Sequence, residues 1–381
     1  MEVTRTAKIH FRSWLTDTKK LRLTELFSAS EDFMSAVLKS VELKVLQGTS
    51  CFDVLKKGAI ARPDTELSAR WQQNLIQNVY ATVKASSESA KSTGRKYKTP
   101  TISASSITLS NTVTKIVTDT GLGSFDLLLE INCTGMGKIA IPLKKTRVLN
   151  RYLSLPGAKL CTSIMLTREY VQLIVKFDVP KKQMKTAIGL DPGAVNLLTS
   201  DRGDHYGTDV NRMLHKLRNK RRNSKAWKRC KQEIKSLIGY TVKRLPWGTF
   251  DTLVLENNRN IKHKSKDRGR LSRKTRSILD GWTAGELDRR IEYATQINGV
   301  SLRRVASFYN STTCPSCGCV EKENRVTQSK FICIKCGHEM HADVVGAINV
   351  LARFSLGKYG SECKADFMKQ HPYYFSVDKL T

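Results

Sequence analysis

No stretch of this chain approaches the ~18 consecutive apolar residues that a bilayer-crossing helix needs. The opening segment, MEVTRTAKIHFRSWLTD, lacks the apolar core of a secretory leader. The expectation is therefore a cytoplasmic protein, or a nuclear one in a eukaryote, with no membrane partner. Internal repeats and long low-complexity tracts are missing as well. Acidic residues are scarce: Asp and Glu number 34 against 65 Lys and Arg, leaving a net charge of +31. An excess of that size repels itself in a compact fold and calls for a polyanionic partner, nucleic acid above all.

The 381 residues suffice for two or three domains, and a 40% hydrophobic fraction is ordinary for globular proteins. Ten cysteines in a reducing compartment do not make a disulfide framework. Six of them, at positions 51, 133, 161, 230, 319 and 363, are scattered and read as small core or surface residues. The other four are spaced as metal ligands.

The N-terminal half divides by periodicity. Residues 3–11 alternate and contain β-branched side chains, which predicts a strand. From about 18 to 94 apolar residues recur at helical spacing, with Pro63 and Asp64 placed to start the second helix. Residues 101–180 return to strands, among them FDLLLEINC, KIAIPL, CTSIMLT and YVQLIVKFDV. The expected layout is a small β-barrel, 1–15 and 101–183, with a helical block, 16–100, inserted after its first strand.

Beyond Pro180 the pattern becomes α/β. Strands are expected at 185–200, broken by a tight turn, at 249–256 and at 301–306, and helices at 209–238, 283–298 and 342–354. This gives an α/β domain over 184–310 and 340–356, interrupted at 311–339 by the cysteines, with an unpatterned tail at 357–381.

Cys314 and Cys317 form one CxxC knuckle, and Cys333 and Cys336 a second. Their separation fits the C-x2-C-x15–20-C-x2-C class of zinc sites, and Gly318 and Gly337 follow each knuckle where the chain must turn. Four thiolates suit tetrahedral Zn²⁺ and leave no open position for substrate, so the expected role is structural.

Three acids stand at element ends: Asp191 in IGLDPG, Glu256 in LVLEN, and Asp343 in HADVVGAINVL. Singly they read as a turn residue, a helix cap and a favourable first-turn residue. Jointly, if their strands are neighbours, they converge on a site for hard Mg²⁺ or Mn²⁺, which prefer oxygen ligands. Two such ions can activate water and stabilise the leaving oxygen of a phosphodiester.

These segments resemble the TnpB family of transposon-encoded RNA-guided nucleases, with their Fanzor and compact type V CRISPR relatives. GLDPGAVNLLTS, LVLENNRNI, FYNSTTCPSCG and HADVVGAINVLAR carry the likeness, over roughly 185–355. The resemblance implies a RuvC/RNase H-like domain with an inserted zinc ribbon, preceded by a wedge-type β-barrel carrying a helical recognition insertion. It implies a catalytic triad of Asp191, Glu256 and Asp343 on Mg²⁺ (or Mn²⁺), and Zn²⁺ on the four cysteines. Gly346 departs from the family's usual alanine, which is expected to weaken that helix slightly while leaving the acid in place.

Two basic runs remain. Residues 212–231 contain no acid and offer Arg218, Lys220, Arg221, Arg222, Lys225, Lys228 and Arg229 to phosphates. Residues 259–276 contain only Asp267 and offer Arg268, Arg270, Arg273, Lys274 and Arg276, in the place of the family's lid. Lys220, Arg221 and Arg222 also read as a nuclear signal. Trp282 is expected in the core, with Arg289 and Arg290 on or under the same surface.

The expected function is an RNA-guided DNA endonuclease with guide RNA and target DNA as partners, acting next to a short flanking motif, and a monomer is favoured. The alternatives are a nuclease-inactive RNA-guided repressor, which the intact triad argues against, and an unguided transposase or resolvase-type nuclease.

Overall fold

A computed structural model describes residues 1–118, 121, 123–133, 135, 137–257, 284–307 and 309–355. The chain divides into two compact units, Glu2–Asp178 and Val179 onward together with Met1.

In the first unit, β1 (Glu2–His10) buries alternate residues and pairs antiparallel along its whole length with β7 (Tyr170–Asp178). The chain leaves β1 for a helical block and returns through β2 (Ile107–Leu109), β3 (Thr114–Thr118), β4 (Leu127–Asn132), β5 (Lys138–Leu143) and β6 (Lys159–Leu166). The strands form two antiparallel sheets, β1-β7-β6-β2 and β3-β4-β5. Within the block, α1 (Asp17–Leu46) is capped by Thr16, a short α2 spans Cys51–Leu55, and α3 spans Ala69–Thr93. Buried Trp71 donates its indole N–H to Ser30 Oγ at 3.0 Å, joining α1 to α3. The second long helix does not start at Pro63–Asp64. Ser68 caps it by accepting the Trp71 amide, a bond that proline cannot reproduce from its own side chain. A further helix, α4 (Arg147–Leu153), follows β5.

The second unit is built on one five-stranded sheet in the order β10-β9-β8-β11-β12. Its strands are β8 (Ala187–Pro192), β9 (Leu198–Ser200), β10 (His205–Tyr206), β11 (Thr252–Glu256) and β12 (Ser301–Val305). β8, β11 and β12 run parallel, whereas β9 and β10 turn back as antiparallel neighbours. Parallel strands are buried on both faces, and β11, TLVLE, is apolar throughout before its terminal acid. One face packs Ile188, Leu190, Leu253 and Leu255 against α5 (Val210–Arg218), α6 (Lys225–Lys243) and α7 (Ala284–Ile297). The other face carries Val254 and Val305 against Val350 of α8 (Ala342–Ser355).

Asp251 pins the start of this sheet. Its Oδ2 accepts the amides of Lys185 and Thr186 at 2.8 and 2.7 Å and the Thr186 hydroxyl at 3.0 Å. Among the described residues, no helix is long and apolar enough to cross a membrane.

Candidate active site and zinc ribbon

The ladder between β8 and β11 ends at Leu190 and Leu255. One residue further along each strand stand Asp191 and Glu256. Side chains alternate along a strand, so Asp191 shares the face of Gly189, and Glu256 that of Val254. That is the face covered by α8, whose first turn carries Asp343, 7% exposed.

The approach of α8 to β8 depends on small residues. A Cβ built on Gly189 would lie 2.4 Å from the Ala347 carbonyl oxygen and 2.9 Å from Leu351 Cβ. A Cβ on Gly346 would lie 2.7 Å from Asp191 Oδ2. Gly346 is thus more than a weak spot in the helix: its bare α-carbon leaves the space that the Asp191 carboxylate fills.

The three acids share one electrostatic environment. Burial pushes Asp191 well above the usual carboxylate range, Glu256 and then Asp343 push it further, and Arg325 works in the opposite direction. Arg325 lies between the two cysteine knuckles. Its Nη2 reaches Asp343 Oδ1 at 3.4 Å and also donates to the Gln328 carbonyl at 2.9 Å. Asn310 donates its amide N–H to Glu256 Oε1, and is itself only 2% exposed. Asn349 of α8 donates to the carbonyls of Asn310 and Thr313 at 2.7 and 2.9 Å, and buried Arg353 donates to Ala306 at 2.6 Å. These bonds tie β11, the segment after β12 and α8 into one frame around the acids.

By chemistry, the donor set suits a divalent cation. The charges that act on Asp191 are the Glu256 and Asp343 carboxylates and the Arg325 guanidinium, and the Oδ1 of Asn310 is buried without a hydrogen-bond partner beside Glu256. Oxygen donors with surplus negative charge are the ligands that Mg²⁺ and Mn²⁺ take.

The four cysteines also come together, with their sulfurs all within 4.8 Å of one another. Cys314 and Cys336 are 3.7 Å apart, and Cys317 and Cys333 are 3.5 Å apart. A tetrahedron with Zn–S bonds of about 2.3 Å has edges of about 3.8 Å, so the set fits zinc. Gly318 and Gly337 both take the left-handed region, at φ 72° and 70°, where each chain turns past its knuckle. Fully buried Asn324 bridges the ribbon, donating to Thr312 and Cys319 carbonyls at 3.0 and 3.2 Å and accepting the Ile334 amide at 2.9 Å. Arg325 follows it directly, so the folded ribbon sets where that guanidinium stands.

On the helical face, Lys225, Lys228 and Arg229 are exposed along α6, and Arg221 and Arg222 are exposed in the turn before it. Arg218 and Lys220 are half-buried at the end of α5 and just after it. Lys231 lies over the Trp227 ring, 4.7 Å from its centroid. Arg289 and Arg290 are committed elsewhere: both pair with buried Glu286, Arg290 at 2.8 Å. Arg268, Arg270, Arg273, Lys274, Arg276, Trp282 and the tail at 357–381 lie outside the described residues.

Sequence reasoning missed Arg325, Asn310, Asn349, and two histidines beside the acids, His205 and His341. Arg325 is one of 65 basic residues, and nothing local distinguishes it. Asn310 sits in FYNSTTC, immediately before the first knuckle, which is the one signal that could have singled it out.

A mixed sheet with acids at the ends of adjacent strands, covered by an acid-bearing helix that follows a four-cysteine ribbon, is the layout that the sequence resemblance implied. Comparison with known proteins agrees. Residues 285–350 match the Cas12f1-like TNB domain family. A 100-residue segment, 26% of the chain, is 39% identical to the "Putative RNA-guided DNA endonuclease InsQ" of Escherichia coli (strain K12). A 73-residue segment, 19% of the chain, is 33% identical to the CRISPR-associated endodeoxyribonuclease Cas12f1 of Sulfoacidibacillus thermotolerans. These segments span 23% of InsQ and 17% of that Cas12f1. Over 92% of this chain the fold follows Cas12f1 in a cryo-EM complex with sgRNA and target DNA, covering 98% of that chain at a TM-score of 0.51 and 15% identity. Together with the order Asp, Glu, four cysteines, Asp, these findings show a likeness to InsQ and Cas12f1 over part of the chain.

Proposed function

We propose that this chain is an RNA-guided DNA endonuclease that hydrolyses phosphodiester bonds at the Asp191, Glu256 and Asp343 cluster, at targets next to a short flanking motif. The observation that carries the reading is the convergence of these three acids, with Asp191 held well above the ordinary carboxylate range by burial and by the other two. Three carboxylates gathered in this way suit a divalent cation. Divalent metal bound there would supply Lewis acidity and a water of lowered pKa, by the two-metal route that such sites use.

The protein's own groups have separable tasks. Asp191, Glu256 and Asp343 supply the carboxylate oxygens. Asn310 orients Glu256, and Arg325 orients Asp343. The four cysteines hold zinc and thereby the ribbon that carries Arg325. Arg218, Lys220, Arg221, Arg222, Lys225, Lys228 and Arg229 contact phosphates of guide RNA or the heteroduplex, as do Arg268, Arg270, Arg273, Lys274 and Arg276 in the basic run that follows Glu256 in sequence. The charge of +31 supports a large nucleic-acid partner, since DNA-binding proteins often make only ~6–10 phosphate contacts. InsQ and Cas12f1 are both named as endonucleases, InsQ as RNA-guided, which supports the same reading.

The test is to purify the protein, identify its bound RNA, and digest that RNA away. Plasmid cleavage should disappear and return with the re-added transcript. Sequence-specific cutting by the RNA-free protein would instead establish an unguided nuclease.

A further inference from the structure

Two histidines close a ring around one side of the acid cluster. Asp191 on β8 stands directly opposite Thr199 on β9, and Thr199 stands opposite His205 on β10. Directly paired residues share a face of the sheet, so His205 lies on the side that Asp191 uses. Thr199 Oγ1 and His205 Nδ1 are 3.1 Å apart, in keeping with that placement. The His205 ring meets the His341 ring edge-on, with centroids 5.1 Å apart. His341 ends β14 (Glu339–His341), which pairs with β13 (Lys330–Ile332), and its Nδ1 accepts the backbone amide of Asp343 at 3.3 Å. The circuit thus runs from one acid to another through two imidazoles.

The hydrogen bonds engage the same nitrogen, Nδ1, in each ring. A backbone N–H can only donate, so His341 Nδ1 is an acceptor. The Asn196 amide nitrogen also can only donate, and it lies 3.3 Å from His205 Nδ1. Nδ1 is thus engaged in each ring, which leaves Nε2 as the nitrogen that can donate to a ligand. His205 is exposed and His341 half-buried, so both remain within reach of a ligand in solvent. Two N–H donors beside three acids do not help to bind a cation. They suit an anionic oxygen that arrives with its charge already matched by metal, and a phosphodiester is such a group.

We propose that His205 and His341 form a phosphate-contacting pair that holds, through Nε2–H, the phosphodiester of the DNA strand presented to Asp191 and Asp343. This rests on the reading of the acid cluster as a nuclease site, and adds the contact by which that site grips its substrate strand.

The experiment uses the full protein with its RNA and a matching labelled DNA duplex. Wild type, Asp191→Ala, the His205→Ala/His341→Ala double variant and the corresponding double Gln variant are compared. Wild-type cleavage maps the scissile position. DNA binding is then measured in Ca²⁺, with either a normal phosphate or an uncharged methylphosphonate at that position. The double Ala variant should bind normal DNA about tenfold more weakly, the worth of one or two hydrogen bonds to a charged group. Gln, which keeps an N–H near the Nε2 position, should restore much of the loss. Methylphosphonate should weaken wild type and leave the double Ala variant little changed, a coupling that a merely structural role for the histidines would not produce. Equal losses on both substrates, or a higher Mg²⁺ requirement with unchanged DNA binding, overturn the phosphate contact. Wild-type behaviour of the histidine variants beside a dead Asp191→Ala removes this proposal and leaves the nuclease reading standing. Cleavage by Asp191→Ala, or none by wild type, removes the nuclease reading and the histidine contact with it.

Discussion

Adding one methyl group at Gly189 should cost both stability and catalysis, because α8 has nowhere to go. The new Cβ would sit 2.4 Å from the Ala347 carbonyl oxygen, about 1 Å short of ordinary contact at 3.4 Å. The obstacle is backbone, so no rotamer change relieves it, and the helix must lift from β8. Overpacking of this kind costs about 1–3 kcal/mol. For a unit of this size that corresponds to a Tm lower by roughly 2–12 °C. The same displacement moves Asp343 relative to Asp191 and Glu256, and a 1 Å misplacement of reacting groups can cost about 100-fold in rate. Gly346→Ala is the internal control. There the added carbon meets the Asp191 carboxyl group, Oδ2 at 2.7 Å and Cγ at 3.1 Å, a side chain that can turn about χ1 where backbone cannot. Alanine is also the better helix former by about 1 kcal/mol. Tm should hold or rise, and any loss of cleavage should come without loss of stability. Thermal melts and single-turnover cleavage on both variants decide it. A Gly189→Ala protein with wild-type Tm and rate would refute the packing argument.

Other perturbations separate the parts of the site. Arg325→Ala should destabilise the metal-free protein by about 1.5–3 kcal/mol for the lost charged hydrogen bond, and Mg²⁺ should recover much of the loss by replacing the guanidinium's charge; melts with and without Mg²⁺ check this. Cys333→Ser, or zinc removal, should raise hydrogen exchange over 314–340 and abolish cleavage through loss of Arg325, while exchange in β1–β7 stays unchanged. A purified protein without zinc by elemental analysis contradicts the ribbon. For Asp251, burial opposes its charge, but the Thr186 and Lys185 amides and the Thr252 and Thr186 hydroxyls more than offset it and hold the carboxyl below its usual value. A depressed folded-state pKa adds stability above the unfolded value and loses it as pH falls through the folded one. Asp251→Asn should therefore melt below wild type at neutral pH, and the gap should close as the pH drops below the ordinary carboxylate range.

What the sequence made legible follows from how local each signal is. Asp191 and Glu256 each end an apolar run long enough to read as a strand, and their convergence needs only that the two strands be neighbours, which β8 and β11 are. The ribbon was readable because its spacing is a chemical constraint of the metal. The return of the chain from the helical block to β1 was also readable, since β1 and β7 are long and strongly patterned. Strands of two or three residues, such as β10 and β14, are too short to show periodicity, and so His205 and His341 gave no warning of their meeting. Gly346 read as a helix defect because its role lies across the interface, in the space it leaves for Asp191. Arg325 and Asn310 act through contacts distant in sequence, which no local pattern encodes.

The most direct test of the account is metal-dependent cleavage by the RNA-loaded protein, compared between wild type and Asp191→Ala at equal RNA occupancy. Wild type should cut matched DNA only when Mg²⁺ or Mn²⁺ is present, and Asp191→Ala should bind the same RNA and DNA with unchanged affinity and leave the DNA intact. Cutting by Asp191→Ala at the wild-type rate, or wild-type cutting that persists in EDTA, would contradict it.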